Sequence, residues 1–166
     1  MNIYDNTVPV LVHNLKSLAK VLRKAEKHCD DKKIDKAVML GMRLAPDMFN
    51  LTRQSQLVTD FAKGCAARLG GVAVPSYPDD ETTFEGLDAR ISKCIAFIES
   101  LDKTGFNGAD SREIALKMGG REYTLSGQDY VNNAAIPNLY FHLATAYNIL
   151  RHNGVELGKG DFVGRG

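Results

Sequence analysis

The sequence lacks the features that mark several large classes of protein. No apolar run approaches the ~20 residues that a membrane helix needs, and the first five residues lack the basic and apolar blocks of a signal peptide. The 21 basic and 20 acidic residues leave a net charge of only +1. No strong electrostatic field therefore selects nucleic acid or a membrane surface. We expect a cytoplasmic protein that binds neither.

Motifs for metals and disulfides are also missing. The three cysteines, Cys29, Cys65 and Cys94, are widely spaced and form no CxxC pair, which argues against a zinc ribbon or a disulfide framework. Cys65 and Cys94 fall on apolar helical stripes, which favours buried thiols, with a catalytic cysteine as the alternative. The chain has no HExxH, no HxxxH and no inward pair at Glu-x-x-His spacing. A hydrolytic or di-iron centre is therefore not supported.

The sequence does contain enough amphipathic helix for one domain. At 166 residues, with 44% hydrophobic and 25% charged residues, it can bury a core as a single domain spanning residues 1–166. Apolar residues recur at steps of three and four in four long segments. These predict helices beginning near residue 7, at residue 46 or 47, after a cap at Thr82 or Thr83, and after residue 126, with a short helical piece at 34–40. The second long helix ends at residue 69 and the fourth near 153.

Two signals modify this helical pattern. Apolar and polar residues alternate on both sides of Gly119-Gly120, which is typical of a β-hairpin with a two-residue turn; the apolar positions are Ile114, Leu116, Met118, Tyr123 and Leu125. Ser126, with Asp129 three residues later, resembles a capping box that opens the fourth helix. Pro137 then predicts a kink or short break within that helix. The predicted fold is all-α: an up-down four-helix bundle with a β-hairpin inserted between helices three and four.

Three polar residues are candidates for a site in the middle of the bundle. His142 lies at the edge of the fourth helix's apolar stripe, and Asn138 lies one turn before it on the same flank. Gln54 lies within the apolar stripe of the second helix, so its amide should point inward. A buried amide needs hydrogen-bond partners, and Asn138 or His142 can supply them. The cluster is either a satisfied polar contact that fixes helix register or a pocket for a small ligand or metal.

Longer segments carry a resemblance to a known family. The residues from Phe141 to Val155, continuing through Leu157, Gly158, Asp161 and Phe162, read like the last helix of DinB-like proteins. The segments 44–49 and 137–142 are similar to a bacterial branch of the DinB/YfiT-like superfamily known only as a domain of unknown function. The resemblance covers essentially the whole chain and implies the four-helix bundle.

The resemblance also implies what the site residues replace. Metal-binding members of the superfamily bring one histidine from helix two and an HxxxH pair from the last helix to a divalent ion. In this chain the pair falls on Asn138 and His142, and the nearest inward polar residue of helix two is Gln54. One of three ligands remains, and amides bind transition metals poorly beside imidazole. We expect a degenerate metal site and no cofactor, with Zn or Ni at His142 as the alternative.

Two functions remain open on these grounds. The first is a non-catalytic bundle, a homodimer, whose metal site has become a polar cluster. The alternative is a transferase or isomerase of small thiol conjugates, which uses His142 as base or ligand with or without a weakly bound divalent metal. Gln54 and Asn138 would then orient the substrate. Solvent access separates the two, because a cleft reaching His142 supports the enzyme and a closed, fully bonded cluster contradicts it.

Overall fold

The chain folds into helices with one small antiparallel sheet. The computed structural model describes residues 3–165, leaving aside the side chain of Met118; residues 1, 2 and 166 of the predicted domain lie outside the described residues. The elements are α1 (Ile3–Lys32), α2 (Lys36–Gly41), α3 (Leu51–Gly70), α4 (Phe84–Glu99), a 3₁₀ turn (Lys103–Phe106), β1 (Glu113–Met118), β2 (Arg121–Ser126), α5 (Gly127–Tyr130), a π-helical turn (Val131–Ala135), α6 (Ile136–His152) and α7 (Lys159–Phe162).

Side-chain caps determine where the central helices begin. Asn50 accepts a hydrogen bond from the amide of Arg53, so α3 begins at Leu51 and not at the predicted residue 46 or 47. Residues 43–50 form a separate turn, closed by a β-bridge between Arg43 and Asn50. The predicted cap of α4 is confirmed, because Thr83 accepts a hydrogen bond from the amide of Gly86. The first helix begins at Ile3, one turn earlier than predicted.

The hairpin and the helix that follows it have the predicted local features. β1 and β2 pair from Glu113 with Ser126 to Met118 with Arg121. Gly119 and Gly120 both have positive φ, 55° and 79°, as a two-residue hairpin turn requires. Ser126 then caps α5 by accepting from the amide of Asp129.

The irregularity predicted at Pro137 is a π-helical turn. Pro137 has no amide hydrogen to donate to the carbonyl one turn before it. The π-helical turn at Val131–Ala135 widens the backbone just ahead of the proline, and the helix continues into α6. The polypeptide therefore stays helical from Gly127 to His152 without a break.

Helix α3 lies at the centre of the packing. It contacts α6, α4 and α1, and its buried positions include apolar residues such as Val58 and Leu69 as well as polar ones. The C-terminal α7 packs on α1, where Lys24 forms an ion pair of 2.5 Å with Asp161. Within residues 3–165 no helix combines the length and apolarity needed to cross a bilayer.

Candidate functional site

Gln54 and His142 meet across the interface between α3 and α6. The Nδ1 atom of His142 lies 2.7 Å from Oε1 of Gln54. The amide nitrogen of Gln54 donates to the carbonyl of Phe49 over 3.2 Å. Because a carbonyl can only accept, this second bond fixes which end of the Gln54 amide faces the imidazole. His142 must therefore donate from Nδ1, which leaves Nε2 as the unprotonated nitrogen of the neutral ring.

The surroundings of His142 favour that neutral form. Phe61 stacks on the imidazole with 5.4 Å between ring centroids, and Phe141 contacts it edge-on at 5.2 Å. Burial, together with the positive charge of Arg53, lowers the pKa of His142. Its Nε2 atom bonds to no described residue, and it is not among the fully buried unpaired atoms. Nε2 is therefore not fully enclosed, although His142 as a whole is only 8% exposed.

Asn138 does not join this pair. Its side-chain nitrogen donates 2.7 Å to the carbonyl of Ala134, one turn back on the same helix. This local bond keeps the Asn138 side chain from pairing with Gln54 or His142. The structure thus brings together two of the three residues named from the sequence.

The donor set at these positions does not fit a tight Zn or Ni centre. Gln54 uses its oxygen on His142, so the two residues bind each other and neither is directed at a shared point. Asn138 offers only an amide oxygen, a weak ligand for these metals. In the described part of the chain, no three His, Cys, Asp or Glu side chains are grouped closely enough to hold a metal ion.

Phe61 also lines a cleft of about 450 Å³. It is bounded by α3, the loop residue Val74, the hairpin, α5, the π-helical turn and the start of α6, and it reaches Asn138 but not His142. Leucine, valine and phenylalanine side chains line it together with several cations; the lining includes Leu57, Asp60, Phe61, Lys63, Arg68, Val74, Leu116, Lys117, Tyr130 and Asn138. We call this the basic cleft.

An ionic network that was not predicted from the sequence lies beside the cleft, centred on a buried arginine. The Arg90 side chain of α4 is only 2% exposed. Its guanidinium contacts Asp60 at 2.8 Å, Glu81 at 3.0 Å and Asp79 at 3.1 Å. It also donates to Thr59 Oγ1 at 2.7 Å. We call these five residues the Arg90 cluster.

The Arg90 cluster attaches the 72–83 segment to α3 and α4. Arg90 also donates to the carbonyl of Pro78, and Gln56 donates 2.8 Å to Glu81. Tyr77 lies under three cations, with the Lys93 ammonium 4.4 Å from its ring centroid. This segment has no helix or strand of its own, so these contacts supply its order. The one indication of this network in the sequence was the pair Thr59 and Asp60, two polar residues that lie between apolar residues of α3.

The cysteines have the character expected of buried thiols. All three are free and buried, and burial raises the pKa of both Cys65 and Cys94 to about 12. A thiol with such a pKa supplies almost no thiolate at neutral pH. The sites worth considering for chemistry are therefore His142 and the basic cleft.

Comparison with known proteins places this architecture in a family. The family model described as a domain of unknown function (DUF1993) matches residues 3–163, and the chain belongs to that family. A crystal structure of a DinB family member protein from Shewanella denitrificans is 42% identical, covers 98% of this chain with 92% of its own length, and superposes with a TM-score of 0.91. A search of curated proteins gave no significant match. The predicted membership of a DinB-like branch is confirmed.

Proposed function

We propose that this protein is a non-catalytic DinB-like bundle in which a Gln54–His142 hydrogen bond stands where metal-binding relatives hold an ion. The observation that carries the proposal is the 2.7 Å contact between His142 Nδ1 and Gln54 Oε1. The Phe49 carbonyl orients the amide. The Gln54 amide and the Nδ1–H of His142 are thereby paired without a ligand.

Metal analysis of untagged protein tests this proposal. We expect Zn and Ni at background levels after purification and after incubation with either ion followed by desalting. The variant His142→Ala should give the same result, as should His13→Ala, a matched control on the exposed face of α1. Stoichiometric metal in the wild type that is lost in His142→Ala and kept in His13→Ala would overturn the proposal.

A transferase or isomerase of thiol conjugates is the second candidate, and one observation favours it. His142 Nε2 carries a lone pair, makes no bond to a described residue and is not sealed from solvent. A neutral imidazole held by Gln54 through Nδ1 is a suitable general base. The test is conjugation of glutathione or cysteine to an electrophilic aryl halide. Turnover above the uncatalysed rate that disappears in His142→Gln would establish this candidate in place of the first.

We further propose a cytoplasmic homodimer of up-down four-helix bundles, as expected from the sequence. Two exposed aromatic residues support an interface next to the Gln54–His142 pair: Phe49 is 54% exposed and Phe141 is 56% exposed. Phe49 bonds to Gln54, and Phe141 contacts His142. Light scattering coupled to size-exclusion chromatography should give twice the chain mass, and the double variant Phe49→Ser/Phe141→Ser should shift the equilibrium to monomer. A monomeric wild type would contradict the homodimer.

A further inference from the structure

The basic cleft has one wall built from a single face of α3. Leu57, Phe61, Gly64 and Arg68 follow each other at helical spacing. The apolar side chains come first, then a glycine with no side chain, and then a cation. This face therefore changes from apolar to positively charged along its length. The hairpin residues Leu116 and Lys117 also line the cleft, and as neighbours on β1 their side chains leave the strand on opposite faces.

The positive charge in the cleft is not neutralised by the protein. Asp60 is the acidic residue among the described lining residues, and it is already bound by Lys63 at 2.7 Å and by Arg90 at 2.8 Å. Neither Arg68 nor Lys117 forms an ion pair with any described carboxylate. Glu122 lies opposite Lys117 in the hairpin register without forming an ion pair with it, so Arg68 and Lys117 both keep positive charge that can attract an anion.

Arg68 is held in place while most of its donors remain free. Its Nη1 donates 3.1 Å to the hydroxyl of Tyr130, and its guanidinium lies 5.8 Å from the centre of that ring. Gly64 makes room for this position, since a Cβ there would lie 2.6 Å from Arg68 Nη1. A guanidinium has five N–H donors, so the bond to Tyr130 leaves several for a ligand. Burial raises the pKa of Tyr130 to about 12, so its hydroxyl also keeps a proton to donate.

We propose that the basic cleft binds a small amphipathic organic anion, whose oxyanion head contacts Arg68 and Lys117 and whose apolar body packs on Phe61 and Leu116. The volume of about 450 Å³ lies within the range typical of small-molecule sites, roughly 300–1,000 Å³. The proposal does not depend on how His142 is used, because the cleft does not reach that residue.

Arg68 is more than a structural partner of Tyr130. A neutral amide or hydroxyl could bond to the Tyr130 hydroxyl equally well, so the contact does not require a guanidinium. The Lys117 side chain forms no hydrogen bond or ion pair with a described residue, and Lys117 lines the same cleft. Two elements thus each contribute a cation that forms no ion pair with a described carboxylate.

The probe for the experiment is 8-anilinonaphthalene-1-sulfonate, an aromatic anion with a sulfonate head, and its matched neutral analogue is N-phenyl-1-naphthylamine. Fluorescence titration of the full chain should give saturable binding of the sulfonate at one site and much weaker binding of the neutral compound. The sulfonate should also raise the melting temperature, because a ligand of the native state stabilises it. A lowered melting temperature would mean that the probe binds unfolded chain, and that would refute the site.

Variants then locate the binding. Arg68→Gln and Lys117→Gln should each weaken sulfonate binding by about tenfold, the effect expected when a charge-assisted hydrogen bond is removed. Lys32→Gln, which removes one exposed lysine outside the cleft, should have no effect. Gly64→Ala should displace the Arg68 guanidinium and weaken binding although it changes no charge. Wild-type affinity in both Arg68→Gln and Lys117→Gln, or equal binding of the neutral analogue, would overturn the proposal.

Discussion

Removing the guanidinium of Arg90 should be among the most destabilising single changes in this protein. Deleting one partner of a buried ion pair costs roughly 3–5 kcal/mol because the other charges lose their compensation. Here the loss should lie at the lower end of that range. Asp79 is 44% exposed and keeps Arg53, while Asp60 keeps Lys63. Only Glu81 is deeply enclosed, and it retains its bond from Gln56.

We therefore expect Arg90→Met to lower the free energy of unfolding by about 3 kcal/mol. With a urea m-value of about 2 kcal/mol/M for a chain of this size, the midpoint falls by about 1.5 M. Arg90→Lys keeps the charge but cannot span Asp60, Glu81 and the Pro78 carbonyl together, so it should lose about half as much. Urea unfolding followed by far-ultraviolet circular dichroism measures all of these variants.

The matched control is Lys16→Met, which removes an ion pair between α1 and Glu99 of α4. That pair is 3.5 Å long with side chains 59% and 54% exposed, and exposed pairs contribute about 0–1 kcal/mol. A loss in Arg90→Met as small as that of the control would refute the view that the Arg90 cluster holds the 72–83 segment in place.

Three further predictions follow from burial and close contact. The folded-state pKa of His142 is lowered, so as the pH falls the unfolded chain takes up a proton before the folded protein does. The contribution of His142 to the free energy of unfolding is therefore complete above about pH 6.5 and declines below it. The urea midpoint should fall less on acidification in His142→Gln than in the wild type. Cys65 and Cys94, both with a pKa of about 12, should react with iodoacetamide near pH 8 only after urea is added. Gly127→Ala should lower the free energy of unfolding by more than about 2 kcal/mol, because its Cβ would lie 1.7 Å from a backbone carbonyl oxygen. The control is Gly158→Ala, whose Cβ meets open space and which should leave the melting temperature nearly unchanged.

The sequence predicted those features that depend on neighbouring residues. The Gly119-Gly120 turn needs only two positive φ values, and Thr83 and Ser126 cap helices through bonds to amides three residues away. The Gln54–His142 contact was predictable for a related reason. Each residue lies on the apolar stripe of its own helix, and two inward polar groups in one bundle must find partners.

The start of α3 was placed too early because its determinants are distant in sequence. The amide of Leu51 donates to the carbonyl of Met42, and the hydroxyl of Thr52 donates to that of Leu40. These bonds tie the first turn of α3 to the end of α2 and make residues 43–50 a closed turn. Pro46 and Asp47 are equally suited to open a helix when judged locally, so periodicity alone could not choose between the two starts.

The Arg90 cluster was missed because isolated charges on a helix usually indicate a solvated face. Arg90 has no acidic residue one turn away on α4; its partners come from α3 and the 72–83 segment. That segment carries Asp79, Asp80 and Glu81 after two prolines, which the sequence shows only as a polar loop. The pairing depends on how the segment folds back across α3, and no local pattern encodes that path.

Helix α3 connects all of these sites, and its polar residues explain why its packing is specific. Gln54 bonds to α6, Asp60 to α4 and Arg68 to α5. A slip of α3 by one turn would break these bonds, and the buried Gln54 amide alone would be left unpaired at about 1–3 kcal/mol. The same arrangement sets the charge of the basic cleft. Because Arg90 and Lys63 occupy the Asp60 carboxylate, that carboxylate cannot neutralise Arg68. Arg90→Met should therefore weaken sulfonate binding although Arg90 does not line the cleft, because it frees Asp60 to offset the charge of Arg68. Unchanged affinity in the folded variant would show that the Arg90 cluster does not influence the charge of the basic cleft.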